Sequence, residues 1–163
     1  MFEASAITAA GSEEFYAELA GQAESLLAGE RDWIANAANL SSLIFTSLPD
    51  LNWAGFYFLK NGTLVLGPFQ GKPACVRIAL GRGVCGAAAR ERKTLRVEDV
   101  NAFADHIACD SASRSELVVP LITADKVLGV LDLDSPKPAR FTAADQAGLE
   151  RLAVIFLAAS DAP

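Results

Sequence analysis

Residues 53–69 contain two short β-rich runs on either side of the turn signal Lys60-Asn61-Gly62. An Asn-Gly pair between such runs is a strong local signal for a β-hairpin, because both residues accept the positive φ angles of a tight turn. The sequence therefore predicts a hairpin with strands at 53–59 and 63–69. Any fold proposed for this chain has to contain that hairpin.

The remaining patterns place helices and further strands around the hairpin. Ser12 is a candidate N-cap for a helix that ends near position 28, and apolar residues recur at helical spacing over 33–48 before Pro49. We expect these two helices to cover one face of a sheet. The other predicted elements are strands at 75–80, 94–97, 116–123 and 127–134, a short helix at 84–92 and a last helix capped by Thr142. This order predicts an α+β fold with a central, mainly antiparallel sheet.

The size and charge of the chain narrow its class. The 163 residues, 52% of them hydrophobic, predict one domain at 12–160 after a flexible arm at 1–11. A net charge of −6 without a Lys/Arg cluster argues against nucleic acid and anionic membranes as partners. The longest apolar run, at 152–159, is too short to span a bilayer. The first residues do not resemble a secretory signal, so we expect a reducing, cytoplasmic location.

The chain has three cysteines, Cys75, Cys85 and Cys109, and one histidine, His106. An odd number of cysteines does not form a closed set of structural disulfides, so we interpret them as thiols. No Cys-x-x-Cys pair is present, and we therefore predict no metal site, although a three-ligand site assembled in space stays open.

The sequence positions of the three cysteines favour different chemical roles. Cys109 lies with His106 and Asp110 in a predicted long loop at 101–113, which makes it the first candidate for a nucleophile. Cys85 follows Arg82 at a predicted helix start, where the positive helix end would favour the thiolate. Burial as a small apolar side chain is the alternative for Cys85, and also for Cys75 in its predicted apolar strand.

Acidic and aromatic residues share faces of the predicted strands. Alternation along the last strand puts Leu128, Val130, Asp132 and Asp134 on one face, and Val127, Gly129, Leu131 and Leu133 on the other. Asp132 and Asp134 either begin a solvated loop or lie in a partly dry cleft, where one carboxyl group keeps its proton and the other holds an ammonium group. Trp53 and Tyr57 share a face and form either a pocket wall or ordinary core.

A family resemblance rests on the segments 52–57, 66–72, 74–78, 81–86, 106–110, 115–116 and 129–135. On these segments the chain resembles the free methionine-(R)-sulfoxide reductase family of GAF domains. A ligand-sensing GAF domain would share the fold and the last strand, but not three cysteines at spacings of ten and twenty-four residues.

The resemblance implies a GAF-type domain with a closed pocket for free methionine sulfoxide and no bound cofactor or metal. It implies thioredoxin as reductant, with NADPH supplying electrons through thioredoxin reductase, and it allows a homodimer. By position, Cys109 matches the attacking cysteine of the family and Cys75 and Cys85 its recycling cysteines. Trp53 and Tyr57 match the pocket for the sulfoxide methyl group. The residues that match the acids for the amine and the sulfoxide oxygen are Glu116, Asp132 and Asp134.

Two other functions remain open at this stage. A GAF module that senses a small ligand, with redox-responsive cysteines, would bind without turnover. A general thiol peroxidase would use the cysteines, but it would not need the acidic residues or the aromatic pair.

Overall fold

The hairpin predicted from Asn61 and Gly62 is present in the computed structural model, which describes Phe2, residues 12–105, Ile107 and residues 110–163. Both turn residues have positive φ angles, 50° and 76°, as a two-residue hairpin turn requires. The turn joins β1 (Trp53–Lys60) to β2 (Thr63–Gly71), and the two strands pair antiparallel. Apart from Phe2, the predicted arm at 1–11 lies outside the described residues.

The other strands of the described chain extend this hairpin into one antiparallel sheet. They are β3 (Arg77–Ala79), β4 (Leu95–Val97), β5 (Ser115–Thr123) and β6 (Lys126–Ser135). The strand order is β3-β2-β1-β6-β5-β4, so β1 and β6 occupy the middle of the sheet. The predicted α+β class with an antiparallel sheet is confirmed.

Helices pack on both faces of this sheet. They are α1 (Glu13–Leu27), α2 (Trp33–Ser47), α3 (Gly83–Glu91) and α4 (Ala143–Ala159), with a short 3₁₀ turn at Val100–Ala102. On one face, α2 packs against β1 and β2, and α4 packs against β5. The prediction that both initial helices cover the sheet holds for α2, whereas α1 packs mainly on α4 and α2. The short helix α3 lies on the other face.

The two faces of the sheet form two apolar layers of different size. The larger layer joins the sheet to α1, α2 and α4, and it contains the fully buried Phe15, Phe56 and Phe156. The smaller layer lies under α3 and includes Trp53 and Tyr57. None of the described helices is both long enough and apolar enough to cross a bilayer.

The predicted alternation along β6 is interrupted by a bulge at Leu128. Leu121 of β5 pairs with Gly129, but Ile122 pairs with Val127, which leaves Leu128 as an extra residue. Leu128 therefore packs in the larger layer and Val127 in the smaller one, so the predicted faces of these two residues are wrong. Beyond the bulge the alternation continues as predicted, and Asp132 and Asp134 face the α3 side.

Asp145 connects the start of α4 to α1 from a fully buried position. Its Oδ1 accepts a hydrogen bond of 2.6 Å from the Tyr16 hydroxyl, and its Oδ2 accepts bonds of 2.7 and 2.8 Å from the Thr142 backbone N–H and hydroxyl. The Arg140 guanidinium lies 3.2 Å from the same Oδ2. Thr142 thus caps α4, as predicted, in a reciprocal capping box.

We expect Asp145→Ala to lower the free energy of unfolding by about 3–5 kcal/mol, because it leaves the guanidinium and the hydroxyl groups without their buried partner. Urea unfolding followed by circular dichroism measures this change. Asp161→Ala is the matched control, since its ion pair with Arg31 joins two exposed side chains and should contribute little. Equal effects of the two substitutions would contradict the structural role of Asp145.

Candidate active site

A narrow cavity of about 40 Å³ lies between the α3 face of the sheet and the chain that follows β2. A water molecule requires roughly 10–15 Å³ by the same measure, so the cavity admits a few waters. Its described lining combines apolar, acidic and sulfur-containing side chains: Trp53, Tyr57, Lys72, Pro73, Ala74, Ile78, Val84, Cys85, Ile107, Asp110, Ser113, Glu116, Asp132 and Asp134.

Three acidic residues meet in this cavity because their strands are neighbours in the sheet. Glu116 on β5 pairs directly with Asp134 on β6, and Asp132 lies two residues earlier on the same face. The exposed fractions of Glu116 and Asp132 are only 6% and 5%. One oxygen of Asp132, Oδ1, is buried and finds no hydrogen-bond partner among the described residues. A buried acceptor of this kind is costly unless another group satisfies it.

The acidic cluster keeps protons that carboxyl groups in water would lose. Burial raises the pKa of Asp132 to about 7, although hydrogen bonds with Cys85 and Glu116 oppose the shift. Burial, followed by the charge of Asp132, raises the pKa of both Glu116 and Asp134 well above the ordinary range. The sequence-based expectation that a carboxyl group here keeps its proton near neutral pH agrees with these shifts.

Cys85 is a buried free thiol within reach of this cluster. Its Sγ donates to Oε1 of Glu116 over 3.9 Å. Burial, then the charges of Asp132 and Glu116, raise the pKa of the Cys85 thiol well above its usual value. The prediction that the start of α3 and Arg82 favour the thiolate is therefore wrong, because burial and the acids outweigh the helix end. The alternative interpretation of Cys85 as a buried side chain is confirmed.

Cys75 lies before β3 rather than in a strand, which corrects the predicted element at 75–80. It is half-buried and takes part in a disulfide. The Tyr57 hydroxyl donates a 2.9 Å hydrogen bond to the carbonyl oxygen of Cys75. Burial, and then the charge of Asp132, raise the pKa of Tyr57, so its hydroxyl stays protonated and can donate. Tyr57, which lines the cavity, thereby fixes the backbone of Cys75.

Trp53 forms an aromatic wall together with its neighbours on β1 and β2. Its ring stacks on Tyr57 at 5.8 Å and on Phe69 at 5.2 Å between centroids. The indole N–H donates to the Lys72 carbonyl oxygen over 3.2 Å. The predicted pair thus lies at the cavity, and Phe69 supports it from behind. Sequence reasoning did not single out Phe69, because a bulge in the β1–β2 pairing sets its register.

Asn52 connects the loop before β5 to the start of β1, a contact that sequence reasoning also missed. Its side-chain amide donates to Asp110 over 3.2 Å and to Ser113 over 3.0 Å. The Ala112 backbone N–H, followed by Asn52, holds the pKa of Asp110 below its usual value. Asp110 is therefore an ionised group at the cavity rim, and Lys72 lies 3.4 Å from it.

Cys109, the predicted nucleophile, lies outside the described residues, as does His106, for which no acid/base role is predicted. Their neighbours Ile107 and Asp110 both line the cavity. Three described residues of the loop at 101–113, Ile107, Asp110 and Ser113, thus line the same cavity as the acidic cluster and the aromatic wall.

Comparison with known proteins identifies a domain family and relatives that this chain resembles. Residues 13–158 match the model of the GAF domain. The chain is 54% identical over 139 residues to the free methionine-R-sulfoxide reductase of Escherichia coli, a match that covers 85% of this chain and 84% of that protein.

Two solved structures are similar over nearly the whole fold. The free methionine-R-sulfoxide reductase of Neisseria meningitidis in complex with its substrate is 42% identical with a TM-score of 0.93, covering 98% of this chain and 95% of that chain. The reduced form of the fRMsr of Staphylococcus aureus is 48% identical with a TM-score of 0.86, covering 88% and 94%.

The buried acids predict a stability that falls as the pH rises. Folding raises the pKa of Asp132 from 3.8 to about 7, so between these values the folded chain holds a proton that the unfolded chain has released. The retained proton stabilises the fold fully below pH 3.8, and this stabilisation is lost as the pH rises through 7. The stabilisation that is lost is on the order of 3–4 kcal/mol.

Urea unfolding at a series of pH values measures this slope. We expect Asp132→Asn to flatten it and to be more stable than the parent protein at pH 8. Asp125→Asn, on the exposed turn between β5 and β6, is the control and should keep the slope. A parent protein whose stability rises from pH 5 to pH 8 would contradict the raised pKa values.

Proposed function

Because this chain belongs to the GAF domain family and, within it, to the free methionine-R-sulfoxide reductases, we propose that it reduces free methionine (R)-sulfoxide with Cys109 as the attacking thiol. The observation that carries the proposal is the single cavity where buried acids with raised pKa values and an aromatic wall meet. The disulfide-bonded Cys75 is tied to this cavity by the hydrogen bond that its carbonyl oxygen accepts from Tyr57. A binding module would not need a redox-active cysteine beside buried carboxylic acids.

The acidic cluster is proposed to recognise the free amine of the substrate. The orphaned Oδ1 of Asp132 accepts a hydrogen bond from the ammonium group, and the negative charge that the cluster retains pairs with it. A peptide-linked methionine has no ammonium group at this position, so it would leave the buried oxygen unsatisfied. The stacked Trp53 and Tyr57 provide an apolar surface for the methyl group on sulfur.

The chemical step requires a nucleophile and an acid. The Cys109 thiolate attacks the sulfoxide sulfur, and the sulfoxide oxygen takes up protons and passes to Cys109, so that methionine leaves and Cys109 becomes a sulfenic acid. Glu116 or Asp134 supplies a proton to that oxygen, since burial and the charge of Asp132 raise the pKa of both carboxyl groups well above the ordinary range. Sulfur in the substrate gains two electrons, and the sulfur of Cys109 loses them.

Cys75 is proposed to resolve the sulfenic acid, because it takes part in a disulfide whereas Cys85 is the free thiol of the described chain. Condensation of the Cys75 thiol with the sulfenic acid releases water and forms the disulfide. The high pKa of Cys85 makes it a poor attacking group for this step. The narrow cavity of the disulfide form then corresponds to the state after methionine has left.

An external dithiol has to reduce this disulfide before another turnover. We assign thioredoxin to this role, with NADPH as the electron source through thioredoxin reductase, and the cytoplasm as a compartment that keeps these partners reduced. The homodimer that the family resemblance allows remains a prediction.

Turnover of isolated diastereomers tests the proposed reaction. With thioredoxin and its reductase, free methionine (R)-sulfoxide should drive NADPH oxidation. The (S) diastereomer and N-acetylmethionine (R)-sulfoxide should react at least about a hundredfold more slowly, because the first presents the wrong face of the sulfur and the second lacks the ammonium group. A protein that binds the substrate but consumes no NADPH with either thioredoxin or dithiothreitol would instead be a sensing module.

Single-turnover measurements separate the roles of the cysteines. Cys109→Ser should release no methionine from the prereduced protein, whereas Cys75→Ser should release about one equivalent and then stop, since the sulfenic acid forms but is not resolved efficiently. Mass spectrometry after trapping with dimedone should detect the sulfenic acid in Cys75→Ser. A full equivalent of methionine from Cys109→Ser would move the attacking role to another cysteine.

A further inference from the structure

Cys85, Glu116 and Asp132 bring three potential metal-ligand atoms together. The residues come from α3, β5 and β6, and their sulfur and carboxylate oxygens all lie within 4.8 Å of one another. The Cys85 Sγ to Glu116 Oε1 distance is 3.9 Å. All three side chains are more than nine-tenths buried. The proposed reaction gives the Cys85 sulfur no step, so the mechanism leaves this group without an assigned task.

The spacing and the donor types fit a particular class of cation. Zinc binds thiolate sulfur at about 2.3 Å and carboxylate oxygen at about 2.0–2.2 Å, which for tetrahedral angles puts the two ligands roughly 3.6 Å apart. The observed Cys85–Glu116 separation of 3.9 Å needs a shift of only a few tenths of an ångström. The other ligand separations, which lie within 4.8 Å, need to close by at most about 1.4 Å. Magnesium and calcium prefer oxygen ligands and higher coordination numbers, so a site with one sulfur and two carboxylates selects zinc or its heavier relative cadmium.

The buried Oδ1 of Asp132 indicates independently that a ligand belongs here. This oxygen has no hydrogen-bond partner among the described residues, and Asp132 lines the cavity. In the proposed enzyme the substrate ammonium group satisfies it during turnover. A divalent cation in the cavity can satisfy the Asp132 carboxylate between turnovers, and in addition it binds the neighbouring sulfur, which an ammonium group does not need.

We propose that Cys85, Glu116 and Asp132 form an inhibitory site for a borderline-soft divalent cation, represented by Zn²⁺, which excludes the substrate ammonium group from the cavity. The proposed metal site is inferred from the geometry of the three side chains alone. The proposed inhibition rests in addition on the proposed function. Binding displaces to solvent the Cys85 proton and any proton that the two carboxyl groups hold, and a fourth coordination position would be filled by water.

Cadmium titration of the disulfide form tests the site, because Cys85 is then the free thiol. Cd²⁺ bound to a thiolate gives an ultraviolet charge-transfer band, and we expect this band to saturate at one equivalent. Cys85→Ser should abolish the band, and Asp132→Asn should weaken binding at least about tenfold. Asp125→Asn should bind as the parent protein does. Circular dichroism shows whether each variant is folded.

Absence of the band in the folded parent protein would overturn the proposal, as would a band that Cys85→Ser retains. Unchanged Cd²⁺ affinity in a folded Asp132→Asn variant would also overturn it, since the carboxylate would then not be a ligand. Glu116→Gln provides a second ligand substitution, with the same expected weakening, should Asp132→Asn fail to fold.

Competition in a Cys75→Ser/Cys109→Ser double variant tests the inhibition, because Cys85 is its remaining cysteine and no disulfide restricts the cavity. Free methionine sulfoxide should displace Cd²⁺ and remove the band, whereas the N-acetyl derivative should not. Failure of both compounds to displace the metal overturns the inhibitory role. The outcome is separable from the proposed function, since the parent protein in metal-free buffer either turns over free methionine (R)-sulfoxide or does not.

Discussion

Burial of several carboxyl groups on one face of the sheet is the constraint on which the site depends. Antiparallel pairing of β5 with β6 sets Glu116 directly opposite Asp134, and the strand period returns Asp132 to the same face. Three acids in a nearly dry cavity cannot all ionise, so the cluster retains protons at a pH where isolated carboxyl groups are charged. The same burial that destabilises the anions raises the pKa of one of these acids, Asp132, to about 7.

The two buried aspartates Asp145 and Asp132 differ in how far their carboxyl oxygens are satisfied by hydrogen bonds. The oxygens of Asp145 accept bonds from Tyr16, Thr142 and Arg140, so its charge is fully compensated and holds two helices together. Asp132 keeps an oxygen without a partner among the described residues. The large apolar layer under α1, α2 and α4 provides the stability that lets the smaller α3 layer retain such an unfavourable group.

Local signals predicted most of the fold, because they act over a few residues. Asn61-Gly62 located the hairpin and Thr142 located the start of α4. The strand period placed Asp132 and Asp134 on one face, but it could not reveal the bulge at Leu128, which depends on the partner strand. The environment of Cys85 could not be predicted from its helix start, since its pKa is raised first by burial and then by acids 31 and 47 positions later in the chain. The hydrogen bond from Tyr57 to Cys75 joins segments 18 positions apart, so it could likewise not be predicted from either segment alone.

The environments of the cysteines explain why one chain can hold thiols with different chemistry. The disulfide-bonded Cys75 is half-buried, and a hydrogen bond from Tyr57 fixes its backbone. Cys85 lies deeper, and the neighbouring carboxylates suppress its thiolate. A thiol exchanging with an external dithiol needs access and a moderate pKa, and Cys85 has neither. Its buried thiol beside the acids therefore keeps its proton more firmly than a thiol in water does.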